Sequence, residues 1–312
     1  KNAEDDKYEV KDFWVENFEK TTIVSKDGNL TAKEIDSTCL MIKNNYEKML
    51  RKYKIPAKNF NIIADSGIGA AANSDILAQK IKFITNKDLT FISDTEEAKL
   101  LLKGCIPRKK FSNSMILDIG GANTIGGYMN IIKGEAIFHP LTLDLGSIKL
   151  TEIINQKSND QSIRKFSELS FTYLPTLKEN FTKMFKKNPE SITKNNIYLT
   201  GGASWAFYTL FYGRVADNNF SELKHDDILY QKSVVENNFR KIENAALTNP
   251  EIQKVLKIYS QKNLISSFNM LLAALEEIPN LDNKKIYFAK NAQIAWFISY
   301  VIDQELKSTV AK

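Results

Sequence analysis

Residues 114–130 read SMILDIGGANTIGGYMN, and the rest of the chain can be arranged around this stretch. An apolar strand ends at Asp118, the chain turns on Gly120 and Gly121, and a second strand continues to Ile132. Glycines in such a turn let backbone N–H groups approach a phosphate, while the acid can hold a metal ion. An Asp-x-Gly-Gly turn is also ordinary hairpin chemistry, so both interpretations stay open at this point.

Composition sets wide bounds on the class of protein. The 312 residues suffice for two domains or one large one, and 43% hydrophobic residues is ordinary for a globular chain. The 43 basic and 37 acidic residues fit an anionic ligand, although a lysine-rich solvated surface explains the same balance. This charge is spread rather than blocked, so we expect no DNA partner.

Targeting, redox and metal signals are few. No apolar run approaches the roughly 18 residues of a membrane span. Cys39 and Cys105 lack zinc spacing and form no disulfide framework, and the two histidines, His139 and His225, argue against a histidine metal cluster. Because the sequence begins with Lys1, we expect that a segment upstream was removed, by processing or during preparation of the protein.

Two further loops have the composition of phosphate sites. A strand over 60–64 leads into the small-residue run 65–73 and a helix over 75–84, an order in which helix N-terminal amides face an anion. A later strand over 197–200 runs into a second glycine pair, Gly201–Gly202, and an aromatic helix. The first of these loops is also explained as a plain strand-to-helix connection. Aromatic stripes in the helical region from Ser221 onward are more typical of a core than of a ligand site.

Capping signals mark the helices of the first third of the chain. Thr31 and Glu34 form a capping box that predicts a helix to about Tyr53. A second helix is predicted over 94–104, either with its acids as a capping pair at its start or with one of them free for chemistry, and with a glycine C-cap at its end. Extended structure is predicted over 8–23, followed by a turn over 26–29.

The later chain is predicted to be largely helical. Strands over 114–132 and 135–143 form an antiparallel meander and lead into a helix over 148–154. An amphipathic helix over 161–187 is predicted to break or bend at Pro175. From Ser221 onward the pattern indicates helices, with one strand over 285–288 and a closing helix over 291–306.

Five stretches, in the same order, resemble the exopolyphosphatase and guanosine pentaphosphate phosphatase family of the actin-like ATPase superfamily. They are 64–73, 92–104 (ISDTEEAKLLLKG), 117–124 (LDIGGANT), 143–152 (LDLGSIKLTE) and 199–203 (LTGGA). The resemblance is good over 28–210 and covers the C-terminal part only in outline. It implies an α/β fold of two ribonuclease-H-like domains facing each other across a cleft: 1–107, joined by the C-terminal helix 291–312, and 108–290, with helical additions.

The same resemblance implies roles for individual residues. Asp118 matches an acid that helps to bind Mg²⁺, and Glu97 matches a carboxylate near the metal and the attacking water. Asp65 and Asp144 are further acids near the supposed cleft and are included as catalytic candidates. The expected phosphate-binding residues are Ser66, Gly67, Gly120, Gly121, Asn123, Gly146, Thr200, Gly201 and Gly202.

Departures from the family pattern leave two functions open. No Asp-x-Gly-Ser loop lies before Tyr8, Gly69–Ala70 replaces an Arg-Glu pair, and Ala122–Ile125 replaces Gly-Ser-Thr-Glu. Loss of a general base typically costs about 10²–10⁴ in rate. One expectation is Mg²⁺-dependent hydrolysis of phosphoanhydride bonds in polyphosphate, guanosine pentaphosphate or a nucleotide. The other is a degenerate relative that binds a phosphorylated ligand or a protein partner without turnover.

Substrate and location are constrained more loosely. Ala122 also resembles the Leu-Asp-x-Gly-Gly-Ala loop of the ecto-apyrases in the same superfamily, which keeps nucleoside di- and triphosphates among the candidate substrates. We expect a cytoplasmic protein, with a periplasmic or secreted location as the alternative if a leader preceded Lys1. The family also implies a homodimer as one mode of assembly.

Overall fold

The computed structural model describes residues 12, 14, 16 and 28–310. Most of the extended segment predicted over 8–23 therefore lies outside the described residues, as does the region before Tyr8. The turn predicted over 26–29 is described only from Gly28 onward.

The N-terminal part builds a small parallel sheet with helices around it. Its elements are α1 (Ala32–Tyr53), β1 (Ile62–Ala64), α2 (Ser66–Gly69), α3 (Ser74–Thr85), β2 (Leu89–Phe91) and α4 (Asp94–Cys105). Among the described residues this sheet has two strands, and Ile62 of β1 pairs with Leu89 of β2. The predicted capping box of α1 is confirmed, because the Thr31 hydroxyl accepts from the Glu34 N–H and the Glu34 carboxylate accepts from the Thr31 N–H.

The start of α4 differs from the predicted cap. Ser93 is the N-cap, and its hydroxyl accepts from the Glu96 N–H at 3.2 Å. Of the two alternatives for these acids, the capping pair of Asp94 with Glu97 is therefore wrong. Ser93 is the residue with the extended backbone that a cap requires, and both acids keep their carboxylates for other contacts.

Gly104 lies inside α4 and is not the predicted C-cap, a position that Ile106 occupies. A Cβ added at Gly104 would lie 2.2 Å from the carbonyl oxygen of Ala295. This glycine is needed because α12, the last helix, crosses α4 at backbone contact distance.

The remaining chain forms a larger mixed sheet covered by helices. Its elements are β3 (Ser114–Ile119), β4 (Thr124–Ile132), β5 (Glu135–Leu143), α5 (Ser147–Asn155), α6 (Ile163–Lys187), β6 (Asn196–Thr200), α7 (Gly201–Tyr212), β7 (Phe220–Leu223), α8 (His225–Asn237), α9 (Phe239–Ala246), α10 (Pro250–Ile258), α11 (Gln261–Glu276), β8 (Lys285–Ala289) and α12 (Ala292–Val310). Within the described chain, the strand order is β5-β4-β3-β6-β8-β7.

The predicted meander is confirmed, since β3, β4 and β5 pair antiparallel in sequence order. The strands β3, β6 and β8 run parallel and form the centre of the sheet. The helix predicted over 161–187 is confirmed as α6, which continues through Pro175, so the predicted break does not occur. Strand β7 was not foreseen, because its four residues are too few for a clear alternation, and it pairs antiparallel with β8.

Apolar side chains form three cores around these layers. The main core lies between the larger sheet and the helices α5 to α11, and α11 is buried along most of its length. A second core joins α4 and α12 to the sheet, and a third joins α1 to α3. None of the helices in the described part of the chain combines the length and hydropathy needed to cross a bilayer.

The predicted α/β class is confirmed. Helix α4 packs on α12 and on β4 and β5, and along the chain it lies between the small sheet and the large one. The division into domains at residues 107 and 108 stays a prediction.

Candidate functional site

Two glycine pairs meet at the end of the central parallel strands. Asp118 is the second-to-last residue of β3 and is in register with Thr200, the last residue of β6. Because parallel neighbours end at the same edge of a sheet, the turn after Asp118 and the connection after Thr200 lie side by side. This edge brings together the predicted metal ligand and the predicted phosphate-binding residues Gly201 and Gly202.

Gly201 lies directly against the Asp118 side chain. Its φ is +86°, and an added Cβ would be 2.4 Å from Asp118 Oδ1 and 2.6 Å from the Ile119 carbonyl oxygen. Only glycine fits this backbone conformation at this distance. Helix α7 begins at Gly201 without a side-chain cap, so its first N–H groups are available to a ligand.

The Gly120–Gly121 turn is anchored on α5. The Gly120 carbonyl accepts from the Ser147 N–H at 2.9 Å, and the Gly121 carbonyl accepts from the Ile148 N–H at 2.9 Å. The first amides of α5 therefore hold the turn, and these two amides are engaged with protein. The turn keeps a fixed shape beside Asp118.

Gly146 and Asn123 also have structural contacts. A Cβ at Gly146 would be 2.4 Å from the Gly121 carbonyl oxygen, so this buried glycine lets the turn pack on the start of α5. The Asn123 side-chain amide donates to Asp94 Oδ1 at 3.1 Å and links the turn to α4. The phosphate-binding roles of Gly146 and Asn123 stay predictions.

Glu97 approaches this edge from α4 and is held by Ser66. Its Oε2 accepts from the Ser66 N–H at 3.2 Å and from the Ser66 hydroxyl at 3.0 Å. Asp65 instead caps α2 by accepting from the Ile68 N–H at 3.0 Å. An added Cβ at Gly67 meets only an ordinary contact at 3.4 Å, so Ser66 is used to orient Glu97 and the sterics do not require Gly67.

The site concentrates negative charge. Some of the Asp118 surface is accessible to solvent, yet the surrounding protein desolvates it, and this desolvation, followed by the charges of Glu97 and Asp65, raises the pKa of Asp118 to about 7. Desolvation also raises the pKa of Glu97, and the two hydrogen bonds from Ser66 oppose that effect. Within the described residues, the Asp118 carboxylate accepts no hydrogen bond. An unpaired, desolvated carboxylate near other acids favours a cation.

The described residues contain no group of three His, Cys, Asp or Glu side chains close enough to hold a metal ion between them. Asp144 is 90% exposed and forms an ion pair with Lys149 at 2.7 Å, and it is not among the charges that raise the pKa of Asp118. The structure therefore places Asp65, Glu97 and Asp118 in one electrostatic field and leaves Asp144 at the surface.

Two features of the site escaped sequence reasoning. The buried Tyr259, between α10 and α11, places its hydroxyl oxygen 1.9 Å from the position of a Cβ at Gly202. A cavity of about 290 Å³ adjoins Thr200 and Gly201. The side chains around it include Trp205, Tyr208, Phe288 and Lys290. The aromatic helix 205–211 was the available signal, but its pattern fits a core equally well.

Comparison with known proteins identifies the class to which this site belongs. A crystal structure of the Aquifex aeolicus Ppx/GppA family member superposes with a TM-score of 0.63 at 14% identity and covers 91% of this chain and 85% of that one. An exopolyphosphatase from Cytophaga hutchinsonii superposes with a TM-score of 0.62 at 14% identity, covering 85% and 82% of the two chains. The fold is therefore the actin-like ATPase fold that these proteins share.

The sequence comparisons then give the family. The model of the Ppx/GppA phosphatase family matches residues 19–188, more than half of the 312 residues, and the chain belongs to this family. A guanosine-5'-triphosphate,3'-diphosphate pyrophosphatase of Pseudoalteromonas atlantica is 31% identical over 105 residues, which are 33% of this chain. The match spans only 20% of that relative.

Proposed function

We propose that the protein is a Mg²⁺-dependent phosphohydrolase that cleaves phosphoanhydride bonds at the edge where β3 and β6 end. The observation that carries this proposal is the unpaired Asp118 carboxylate, which lies against Gly201 and beside the Gly120–Gly121 turn. The Asp118 carboxylate, beside both glycine pairs, could hold a metal ion, which would supply positive charge to a bound phosphate.

Asp118 fits Mg²⁺ by its chemistry. This ion is usually held by one or two carboxylates together with water and substrate phosphates, so a cage of three acids is not needed. The pKa of Asp118, raised to about 7 by desolvation and by neighbouring acids, fits a group whose charge a cation would balance. When bound there, Mg²⁺ would neutralise developing charge on the phosphoryl oxygens.

Glu97 is the proposed general base. The two hydrogen bonds from Ser66 fix its carboxylate, and desolvation raises its pKa toward the range in which a base works at neutral pH. In this role Glu97 takes a proton from the water that attacks the terminal phosphorus, and the leaving phosphate departs with the anhydride oxygen. Asp65, whose charge acts on both Glu97 and Asp118, is the second candidate.

The start of α7 is the proposed binding site of a phosphoryl group. Its first N–H groups have no side-chain cap, and the helix dipole favours an anion there. The adjoining cavity of about 290 Å³ is the proposed place for the rest of a nucleotide substrate. Polyphosphate, guanosine pentaphosphate and nucleoside triphosphates all remain within the proposal. A cytoplasmic location and a homodimer are proposed with it.

A second candidate function is phosphate-ligand or partner binding without turnover. It is favoured by Ile125, which is 4% exposed inside β4 at the position where the family pattern has an acid. Asp144, an acid that could have compensated, is 90% exposed and paired with Lys149, which also supports this candidate.

Phosphate release tests the proposal. The purified protein is assayed with Mg²⁺ on polyphosphate, guanosine pentaphosphate and ATP, beside Asp118→Asn and the control Asp88→Asn, which alters an 83% exposed carboxylate paired with Lys82. Release that is lost in Asp118→Asn and kept in Asp88→Asn supports the hydrolase. A folded protein that binds these compounds without releasing phosphate supports the second candidate.

A further inference from the structure

Tyr259 is held between two helices of the C-terminal part. It is the C-cap of α10, where its N–H donates to the Val255 carbonyl at 2.8 Å, and the next residue, Ser260, is the N-cap of α11. The side chain is 7% exposed. Its position is therefore fixed by the backbone on both sides and by the packing around the ring.

The Tyr259 hydroxyl reaches the start of α7. An added Cβ at Gly202 would lie 1.9 Å from this oxygen and 3.2 Å from Cζ, so the absence of a side chain at Gly202 makes room for the phenol. Tyr259 lies outside residues 19–188, the segment that carries the family match. It is thus a contribution of the helical part to the edge that holds Asp118.

The hydroxyl has no partner of its own. In the described part of the chain it takes part in no hydrogen bond, although buried polar groups are nearly always paired. The oxygen is not one of the fully enclosed, unpaired atoms, so an acceptor can reach it. An unpaired donor in a side chain more than nine-tenths buried, beside an uncapped helix start, indicates a missing acceptor.

We propose that Tyr259 is a ligand-binding residue whose hydroxyl donates a hydrogen bond to an oxygen of the phosphoryl group seated at the start of α7. This inference rests on the proposed function, which supplies that phosphoryl group. Burial and the nearby charge of Asp118 raise the pKa of Tyr259 to about 12, which keeps the proton on the phenol at neutral pH.

The Tyr259 hydroxyl is a neutral hydrogen-bond donor and is compatible with the nearby Asp118 carboxylate. A lysine or arginine at this place would pair with Asp118 and compete with a divalent cation for the carboxylate. A phenol adds a hydrogen bond to the ligand without such competition. Tyr259 would therefore strengthen phosphoryl binding while leaving Asp118 unpaired.

Binding of inorganic tripolyphosphate in the presence of Mg²⁺, measured by titration calorimetry, tests the role of Tyr259. Tyr259→Phe removes only the hydroxyl, and we expect binding about tenfold weaker than in the wild type, since hydrogen bonds to charged groups are worth roughly that factor or more. Tyr300→Phe, which removes the hydroxyl of another buried tyrosine in the second core, should bind as the wild type does.

The outcomes separate the two proposals. Unchanged binding by Tyr259→Phe, with the wild type binding, overturns the role of Tyr259 and leaves the proposed function intact. A wild type that binds neither tripolyphosphate nor ATP and releases no phosphate from any of the three compounds overturns both.

A second pair of variants tests the geometry without any ligand. Gly202→Ala should lower the Tm of the wild type, because its Cβ meets the hydroxyl oxygen. The same change in a Tyr259→Phe background should cost less, because the nearest remaining atom is then 3.2 Å away. Equal losses in both backgrounds would show that the hydroxyl does not lie at Gly202, and the proposal would fall.

Discussion

Replacing Asp118 by asparagine should make the protein more stable at alkaline pH. The carboxyl has a pKa near 3.8 in the unfolded chain and about 7 in the native protein, so the native state binds its proton more tightly. Between these values the unfolded state has lost its proton while the native state keeps it, and the free energy of unfolding falls as pH rises. Asparagine has no such proton to lose.

The magnitude follows from the two pKa values. Their difference corresponds to roughly 4 kcal/mol in the free energy of unfolding. The wild type loses this stability progressively between about pH 4 and pH 7. At pH 8 the free energy of unfolding of Asp118→Asn should exceed that of the wild type by up to about that amount. Near pH 4 the two proteins should be equally stable. For a chain of this size, this is a Tm difference on the order of 10 °C.

Thermal unfolding of both proteins from pH 4 to pH 8 is the assay, with Asp88→Asn as the control for a change of an exposed acid. Mg²⁺ added at pH 8 should raise the Tm of the wild type and leave Asp118→Asn unchanged, because binding to the native state stabilises it. A variant that is less stable than the wild type at pH 8, or that shows the same pH profile, would refute the reasoning about Asp118.

Three further substitutions test separate parts of the structure. Glu97→Gln should lower phosphate release at least about 100-fold without lowering the Tm at neutral pH, since desolvation raises the pKa of Glu97. Near-normal release would exclude Glu97 as the base. Gly104→Ala should lower the free energy of unfolding by about 1–3 kcal/mol or more, because its Cβ meets the Ala295 carbonyl, and an unchanged denaturant midpoint would contradict that packing. Asp144→Asn should alter the free energy of unfolding by less than about 0.5 kcal/mol and leave phosphate release intact, since its pair with Lys149 is exposed. Loss of phosphate release would instead show that Asp144 acts in catalysis.

Local signals in the sequence predicted the elements well. The Thr31–Glu34 capping box and the strands around the Gly120–Gly121 and 133–134 turns depend on neighbours in the chain, and these elements formed where expected. The cap of α4 was misplaced by one residue because Ser93 and Asp94 are both acceptable caps. Strand β7 exists only through its pairing with β8.

The candidate site was predictable only in part, because its contacts join distant segments. The family resemblance assigned Asp118 and Gly201 to metal and phosphate binding, and the structure places them in contact. The hydrogen bonds from Ser66 to Glu97 and the approach of Tyr259 to Gly202 depend on how whole helices pack, and no local pattern carries that information. The exposure of Asp144 and its pair with Lys149 likewise could not be read from the sequence, and its catalytic role stays a prediction.

A fragment ending at residue 188, where the family match ends, would lack β6, the strand that lies between β3 and β8. The buried strand β3 would then become an edge with unpaired backbone N–H and C=O groups, and exposed edges of this kind pair with strands of other molecules. We therefore expect such a fragment to aggregate on expression. On this argument residues 19–188 would not fold alone, and a soluble protein would need β6 and the helices that follow it.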